Sequence, residues 1–215
     1  MNIYFLYSLC IIFSYLLGSL NFAIIVSHLV KHDDVRKYGS KNAGMTNMMR
    51  TYGKKIGSLT LIGDFLKAVV AISLCRLAFS LIFPESSTVY VSYLSALFCM
   101  LGHIFPIFYS FKGGKGVLTS GACVLMLHPT VFVFIMLIFL VCLMLSKMVS
   151  LSSILACIGA AIGVLFVGLY TGADSVAFET VVISVMSATI IIKHSSNIKR
   201  IIAGNENKIG KKKEG

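Results

Sequence analysis

The sequence predicts an all-α integral membrane protein with about seven transmembrane helices, and three observations predict it. Of the 215 residues 57% are hydrophobic and only 13% charged, too little polar surface to clothe a soluble domain. The hydrophobic residues fall in runs that suit a helix crossing hydrocarbon, which takes about 20 residues. Lysine and arginine collect in alternate breaks between those runs, as they do in the cytoplasmic segments of membrane proteins.

The first apolar run, about residues 3–27, has no basic leader and no small-residue cleavage site, so it reads as an uncleaved first span. The break after it, RKYGSKNAGMTNMMRTYGKK at 36–55, is polar, glycine-bearing and basic. A second span covers about 56–83, and a turn at 84–87 without Lys or Arg leads to a third at about 89–110. FKGGKG at 111–116 is the second polar break. Residues 117–127 are apolar but short, either a short fourth helix or half of a re-entrant hairpin. His128 and Pro129 close it. Further spans follow at about 130–146, 149–170 and 176–192, and a basic tail begins at Lys193.

Charge placement sets the expected orientation. Residues 28–55 hold seven Lys or Arg, FKGGKG two, position 147 one and the tail seven, whereas the amino terminus, 84–88, 128–129 and 171–179 hold none. The three polar breaks and the carboxyl terminus are therefore expected in the cytoplasm, with the amino terminus outside. A five- or six-span arrangement that drops 117–127 would put Lys147 and the tail on the opposite sides. The net charge of +11 thus belongs to membrane-side loops and does not mark a nucleic-acid partner. One membrane domain, 1–215, is expected, with polar motifs at 36–55, 102–116 and 193–210. The six cysteines each lie inside an apolar run without C-x-x-C spacing, and read as small core residues, neither disulfide nor metal ligands.

The chemistry concentrates in the polar breaks. In the first, Gly39, Ser40, Asn42, Gly44, Thr46 and Asn47 supply hydroxyls, amides and a backbone able to turn several N–H groups toward one point, which suits an anion. Arg50 adds a planar fork matched to phosphate. A solvated basic loop would not need that interleaving. In the second, Gly113, Gly114 and Gly116 surround Lys115, so backbone and ammonium can both approach a phosphate. The spacing is not that of a Walker A loop, and a turn with snorkelling lysines is the plainer reading of this break alone.

Elsewhere the polar residues read as structural or ambiguous. Asp64 and Lys67, three apart in the second span, are expected to pair on one face and brace the structure behind the first loop, with a direct ligand role as the alternative, and Arg76 to snorkel. His103 reads as a hydrogen-bonding residue at a membrane interface. His194 and Asn197 open the tail in cationic company. Ser150 and Ser153 share a helix face and either hold a ligand or cap the helix. Gly159 and Gly163 form a packing G-x-x-x-G. His28 and Asp33 match H-x-x-x-x-D, the base-and-orienter pair of another glycerolipid acyltransferase class, but those enzymes need a larger soluble domain.

GSKNAGMTNMMRTYG, GHIFPIFYSFKGGKG and NIKRIIAGNE, in that order between hydrophobic spans, resemble the three cytoplasmic motifs of the bacterial acyl-phosphate:glycerol-3-phosphate acyltransferases, the PlsY family. GSLNF, LIGDFLKA and SLSS resemble its GS-x-PF, D-x-x-KG and SLxS patterns, so the likeness covers nearly the whole chain. Asn21 stands for the usual Pro, Lys41 and Ala68 each for Gly, and Ser195 for a frequent Arg. The resemblance implies acyl transfer from acyl phosphate to the 1-hydroxyl of sn-glycerol 3-phosphate, with no cofactor and no metal. It implies that Ser40, Asn42, Gly44 and Thr46 hold the acyl phosphate. Arg50, Lys115, Ser153, His194 and Asn197 would bind glycerol phosphate and the developing charge, with Gly113 and Gly114 shaping the pocket. It further implies a bacterial inner-membrane location, membrane lipid around the chain, and coupling to the soluble enzyme that makes acyl phosphate from acyl carrier protein. A transporter of an organic phosphate is the alternative, with the basic loops as its vestibule.

Overall fold

A computed structural model of the chain describes residues 2–209. Among these residues the regular elements are ten α-helices and two short 3-10 turns. They form two compact units, one ending at Leu127 and one beginning at His128.

The first unit contains α1 (Ile3–Ser19), α2 (Phe22–Lys31), α3 (Met45–Tyr52), α4 (Lys54–Ile82), α5 (Val89–Ile104) and α6 (Val117–Leu127). The expected continuous first span is in fact two helices. The chain leaves helical geometry at Leu20, and Asn21 restarts it by accepting the Ile24 amide on its side-chain oxygen at 3.2 Å, an N-cap. Such a break strands backbone groups at membrane depth. Here α4 meets them: the Lys67 ammonium donates to the Leu20 carbonyl at 2.9 Å, and the Phe22 amide donates to Asp64 at 3.4 Å. The expected Asp64–Lys67 pair is present at 2.7 Å, with both side chains buried.

Against α5, α1 packs backbone to backbone. A Cβ on Gly18 would lie 2.1 Å from the Cys99 carbonyl oxygen, and one on Gly102 2.2 Å from that of Tyr15, so only glycine admits this approach. The third expected span stops early, at Ile104, because Pro106 cannot continue a helix. A 3-10 turn, Ile107–Tyr109, follows. At eleven residues, α6 is about 16 Å long, roughly half the hydrocarbon thickness. Among the described residues six stretches are helical, long and apolar enough to cross a membrane, with Ile3–Lys31 counted as one and α6 left out. Arg76 does not snorkel as expected. Its guanidinium donates to Ser92 Oγ at 2.7 Å and to the Met126 carbonyl at 2.9 Å, which caps the end of α6 with a cation.

The second unit contains α7 (Pro129–Ser146), α8 (Val149–Thr171), α9 (Val176–Lys193) and α10 (Ser195–Ile202). Its central helix, α8, packs against both α7 and α9. Gly159 and Gly163 make room for Ile138 and Val131 of α7, the packing role expected of them. In the first turn of α9, Glu179 accepts from Ser175 at 2.5 Å and faces His128 at 3.0 Å. The expected basic tail is partly helical, and it folds back so that the Ile209 amide donates to the Lys147 carbonyl at 2.8 Å. Position 210 and the three lysines 211–213 of that tail lie outside the described residues.

Candidate active site

The first polar break is an organised loop that ends in a helix. Asn47, buried in α3, shares the two protons of Nδ2 among the carbonyls of Val35, Tyr38 and Asn42 at 3.0–3.2 Å and accepts the Ser40 amide at 3.0 Å. Its amide is thus spent on shaping the loop and does not serve as an anion ligand. Ser40 is exposed at the turn, between Gly39 and Lys41, both in the left-handed region at φ 57°. Asn42 and Gly44 follow, and Gly44 opens α3 without a side-chain cap. The first amides of α3, at Met45 and Thr46, are those a helix leaves without intrahelical partners, and they carry the positive end of its dipole. Arg50 sits exposed in the last turn of the same helix. The expectation of one long loop over 36–55 is corrected accordingly: Thr46, Asn47 and Arg50 are helical.

Two further contacts hold this loop, one against the second loop and one against the α1–α2 break. Arg36 grips Asp34 through Nε and Nη2 and donates from Nη1 to the Lys112 carbonyl at 2.9 Å. Asn21 reaches the Ala43 carbonyl at 3.4 Å. Gly114 lies between that carbonyl and the His103 ring, with a Cβ position only 2.6 Å from Ala43 O and 2.2 Å from His103 Nε2. The Gly113 and Gly114 amides donate to the carbonyls of Ile104 and His103 at 3.2 and 3.1 Å, so these two N–H groups hold the loop in place. Lys115 is half-buried and Lys112 exposed. The structure therefore brings the Ser40–Thr46 stretch and the glycines beside Lys115 together within one unit.

In the second unit Glu206 is the hub. Its carboxylate accepts from Ser150 Oγ at 2.9 Å, Asn197 Nδ2 at 2.8 Å and Arg200 Nε at 2.8 Å. Burial works to raise its pKa, but the bonds from Asn197, Ser150 and Arg200 outweigh that and hold it below the usual carboxylate range. Ser153 bonds the Val149 carbonyl of its own helix at 2.8 Å, so Ser150 is the serine of the pair that reaches the tail. His194, buried, faces the Ile190 carbonyl through Nδ1 at 2.8 Å. A carbonyl only accepts, so Nδ1 carries the proton and Nε2 is the acceptor in the neutral ring.

Sequence reasoning missed the Arg36–Asp34 clamp and the role of Glu206. A lone glutamate among Asn, Lys and Arg was the available signal for the second. The H-x-x-x-x-D pair is not assembled: His28 bonds Ile24 of its own helix at 2.9 Å, while Asp33 is taken by Lys37 and Tyr38. Those two bonds, Lys37 first, hold the Asp33 carboxyl well below its ordinary range. All six cysteines are free thiols. Among the described residues no group of His, Cys, Asp and Glu is placed to hold a metal ion. An open apolar groove of about 500 Å³ runs between α2 and α4, lined by Phe22, Val26, Leu29, Ile62 and Leu66, with Lys67 its one charged residue.

Membrane-length helices carrying two apposed, glycine-bearing basic loops are the framework of a membrane enzyme for phosphorylated substrates. The family model described as glycerol-3-phosphate acyltransferase matches residues 8–204. A Neisseria meningitidis glycerol-3-phosphate acyltransferase is 41% identical over 200 residues, 93% of this chain and 96% of that protein. One from Bacillus subtilis is 40% identical over 204 residues, 95% and 98% of the two chains. Crystal structures of PlsY, an integral membrane glycerol 3-phosphate acyltransferase, superpose with TM-scores of 0.80 for the glycerol 3-phosphate form and 0.78 for the lysophosphatidic acid form. Their identities to this chain are 35% and 34%, and each covers 95% of it. The chain belongs to the glycerol-3-phosphate acyltransferase family.

Proposed function

We infer that this chain is a multi-pass membrane acyltransferase that converts glycerol 3-phosphate to lysophosphatidic acid. The observation that carries it is the likeness, over nearly the whole chain, to enzymes named for this activity and to a PlsY captured in glycerol 3-phosphate and lysophosphatidic acid forms. That likeness favours an enzyme over a transporter.

The finer reading names the donor and the residues. The donor is acyl phosphate, a mixed anhydride already activated, so the protein supplies positioning and charge stabilisation. The 1-hydroxyl oxygen of glycerol 3-phosphate attacks the acyl carbon, the bond from that carbon to the bridging oxygen breaks, and inorganic phosphate leaves with that oxygen and takes up the hydroxyl proton. Ser40, Asn42, Gly44 and Thr46 hold the acyl phosphate group, with the first amides of α3 as further donors. Arg50, Lys115, Ser153, His194 and Asn197 bind glycerol phosphate and the developing charge, and Gly113 and Gly114 keep the backbone close. The acyl chain lies in the apolar groove between α2 and α4. The site faces the cytoplasm from the bacterial inner membrane, where a soluble enzyme delivers acyl phosphate made from acyl carrier protein.

The test is purified protein in lipid vesicles, supplied with glycerol 3-phosphate and either acyl phosphate or acyl-CoA. Lysophosphatidic acid should form from acyl phosphate without any gradient. Efficient use of acyl-CoA would overturn the donor assignment, and glycerol phosphate uptake without product would restore the transporter.

A further inference from the structure

Buried side chains outside the assigned substrate contacts touch the second glycine loop from behind. The Lys67 ammonium has three protons, and it meets three acceptors: Asp64 Oδ1 at 2.7 Å, the Leu20 carbonyl at 2.9 Å and His103 Nδ1 at 3.0 Å. An ammonium offers no lone pair, so His103 Nδ1 accepts and the proton of the neutral ring sits on Nε2. Asp64 Oδ1 and His103 Nδ1, 3.4 Å apart, are then two acceptors sharing one donor. All three residues are almost wholly enclosed, at 1%, 3% and 4% exposure for Asp64, Lys67 and His103.

The other edge of the His103 ring bears on Gly114, where a Cβ would lie 2.2 Å from Nε2. The His103 and Ile104 carbonyls hold the Gly114 and Gly113 amides. Lys115 comes next in the chain. The loop thus rests on this histidine through both backbone and ring, and the ring is locked by an ammonium that also clamps the α1–α2 break. Burying such charges is costly, and apolar residues of similar size would stabilise the fold as well or better. What the polar cluster adds is a fixed direction.

We propose that Asp64, Lys67 and His103 are positioning residues that set the backbone of 113–115 for the reaction. The proposal rests on the acyltransferase reading, and a loop displaced by about 1 Å would be enough to cost activity heavily.

The test compares His103→Leu, His103→Gln and Asp64→Asn/Lys67→Met with the unsubstituted enzyme in lipid vesicles. Three readouts are taken: melting temperature, amide exchange at Gly113 and Gly114, and kcat and KM for glycerol 3-phosphate with acyl phosphate as donor. His103→Leu keeps the Lys67–Asp64 pair and should melt within about 4 °C of the parent. Its two glycine amides should exchange at least about tenfold faster, and kcat should fall at least about tenfold with less change in KM. His103→Gln, which restores an acceptor for Lys67 and an N–H toward the loop, should recover most of both. The charge-free double variant should follow His103→Leu; if it fails to fold, the two His103 variants decide. Parent-like exchange and kcat in His103→Leu, or activity losses that merely follow melting temperature, would overturn the proposal. An unsubstituted enzyme that does not acylate glycerol 3-phosphate would sink the acyltransferase reading instead, and the exchange rates would still decide whether the cluster sets the loop.

Discussion

The Arg36 guanidinium donates to the Lys112 carbonyl at 2.9 Å, joining the two polar loops across 76 positions of sequence. Asp34 holds the other edge of the same fork at 2.7 Å. This clamp sets the spacing of the two loops. Arg36→Ala should destabilise the protein by about 1.5 to 3 kcal/mol, the range for hydrogen bonds to charged groups. Arg36→Lys should recover less than half of that, since an ammonium lacks the planar fork. Denaturant unfolding in a defined detergent measures both.

Lys41 occupies the left-handed region at φ 57°, which costs an L-residue about 1 kcal/mol or more and glycine almost nothing. Lys41→Gly, the residue usual in the family pattern, should therefore stabilise the protein by about 1 kcal/mol. A lower melting temperature would mean that the Lys41 side chain makes a compensating contact.

The span lengths and the polar breaks were legible because hydrocarbon imposes a length and a composition on what crosses it. The break at Leu20 was not, since Leu20 is itself apolar and Asn21 is a single polar residue in a long apolar run. Its sign lay far along the chain, at Asp64 and Lys67, a charged pair that needs backbone partners. The helices α3 and α10 were hidden for a different reason. Both are eight residues long, too short to form on propensity, and they exist because Met48 and Asn197 are buried by their surroundings. The candidate site residues Ser40, Gly113, Gly114 and Lys115 could be named from motif chemistry alone. The roles of Asn47 and Glu206 in holding those motifs depend on contacts between residues far apart in the loop or tail.

Glu206 predicts a pH dependence for the tail. Its folded pKa is depressed below the unfolded value of 4.5, so the folded state favours the carboxylate. The resulting stability is present above that value and is lost as pH falls through the lower folded pKa. Amide exchange in α10 should therefore accelerate on acidification below about pH 4.5. In Glu206→Gln it should be faster already at pH 7 and insensitive over the same range. A pH-independent difference between the two proteins would remove Glu206 as the anchor.

Lys115 separates a reacting cation from an interface anchor. If it only snorkels, arginine should replace it well, because charge and apolar stem are both kept. The surroundings argue for a more demanding place. Gly114 is pressed between the Ala43 carbonyl and the His103 ring, and Gly116 turns at φ 86° beside Ile104, so the backbone flanking Lys115 has little room to adjust. A guanidinium is wider than an ammonium and points its donors in a fixed plane. Lys115→Arg should therefore fold but lose much of its turnover. Lys115→Ala should lose more, about 2 to 4 kcal/mol of transition-state stabilisation, as when one preorganised donor is removed. Lys112, exposed and contributing its backbone carbonyl to Arg36, should tolerate alanine with a mild rise in KM for glycerol 3-phosphate. Steady-state kinetics on the three variants at matched folding decide it. Near-normal turnover in Lys115→Ala would reduce the second glycine loop to a connector and leave catalysis to the remaining candidates.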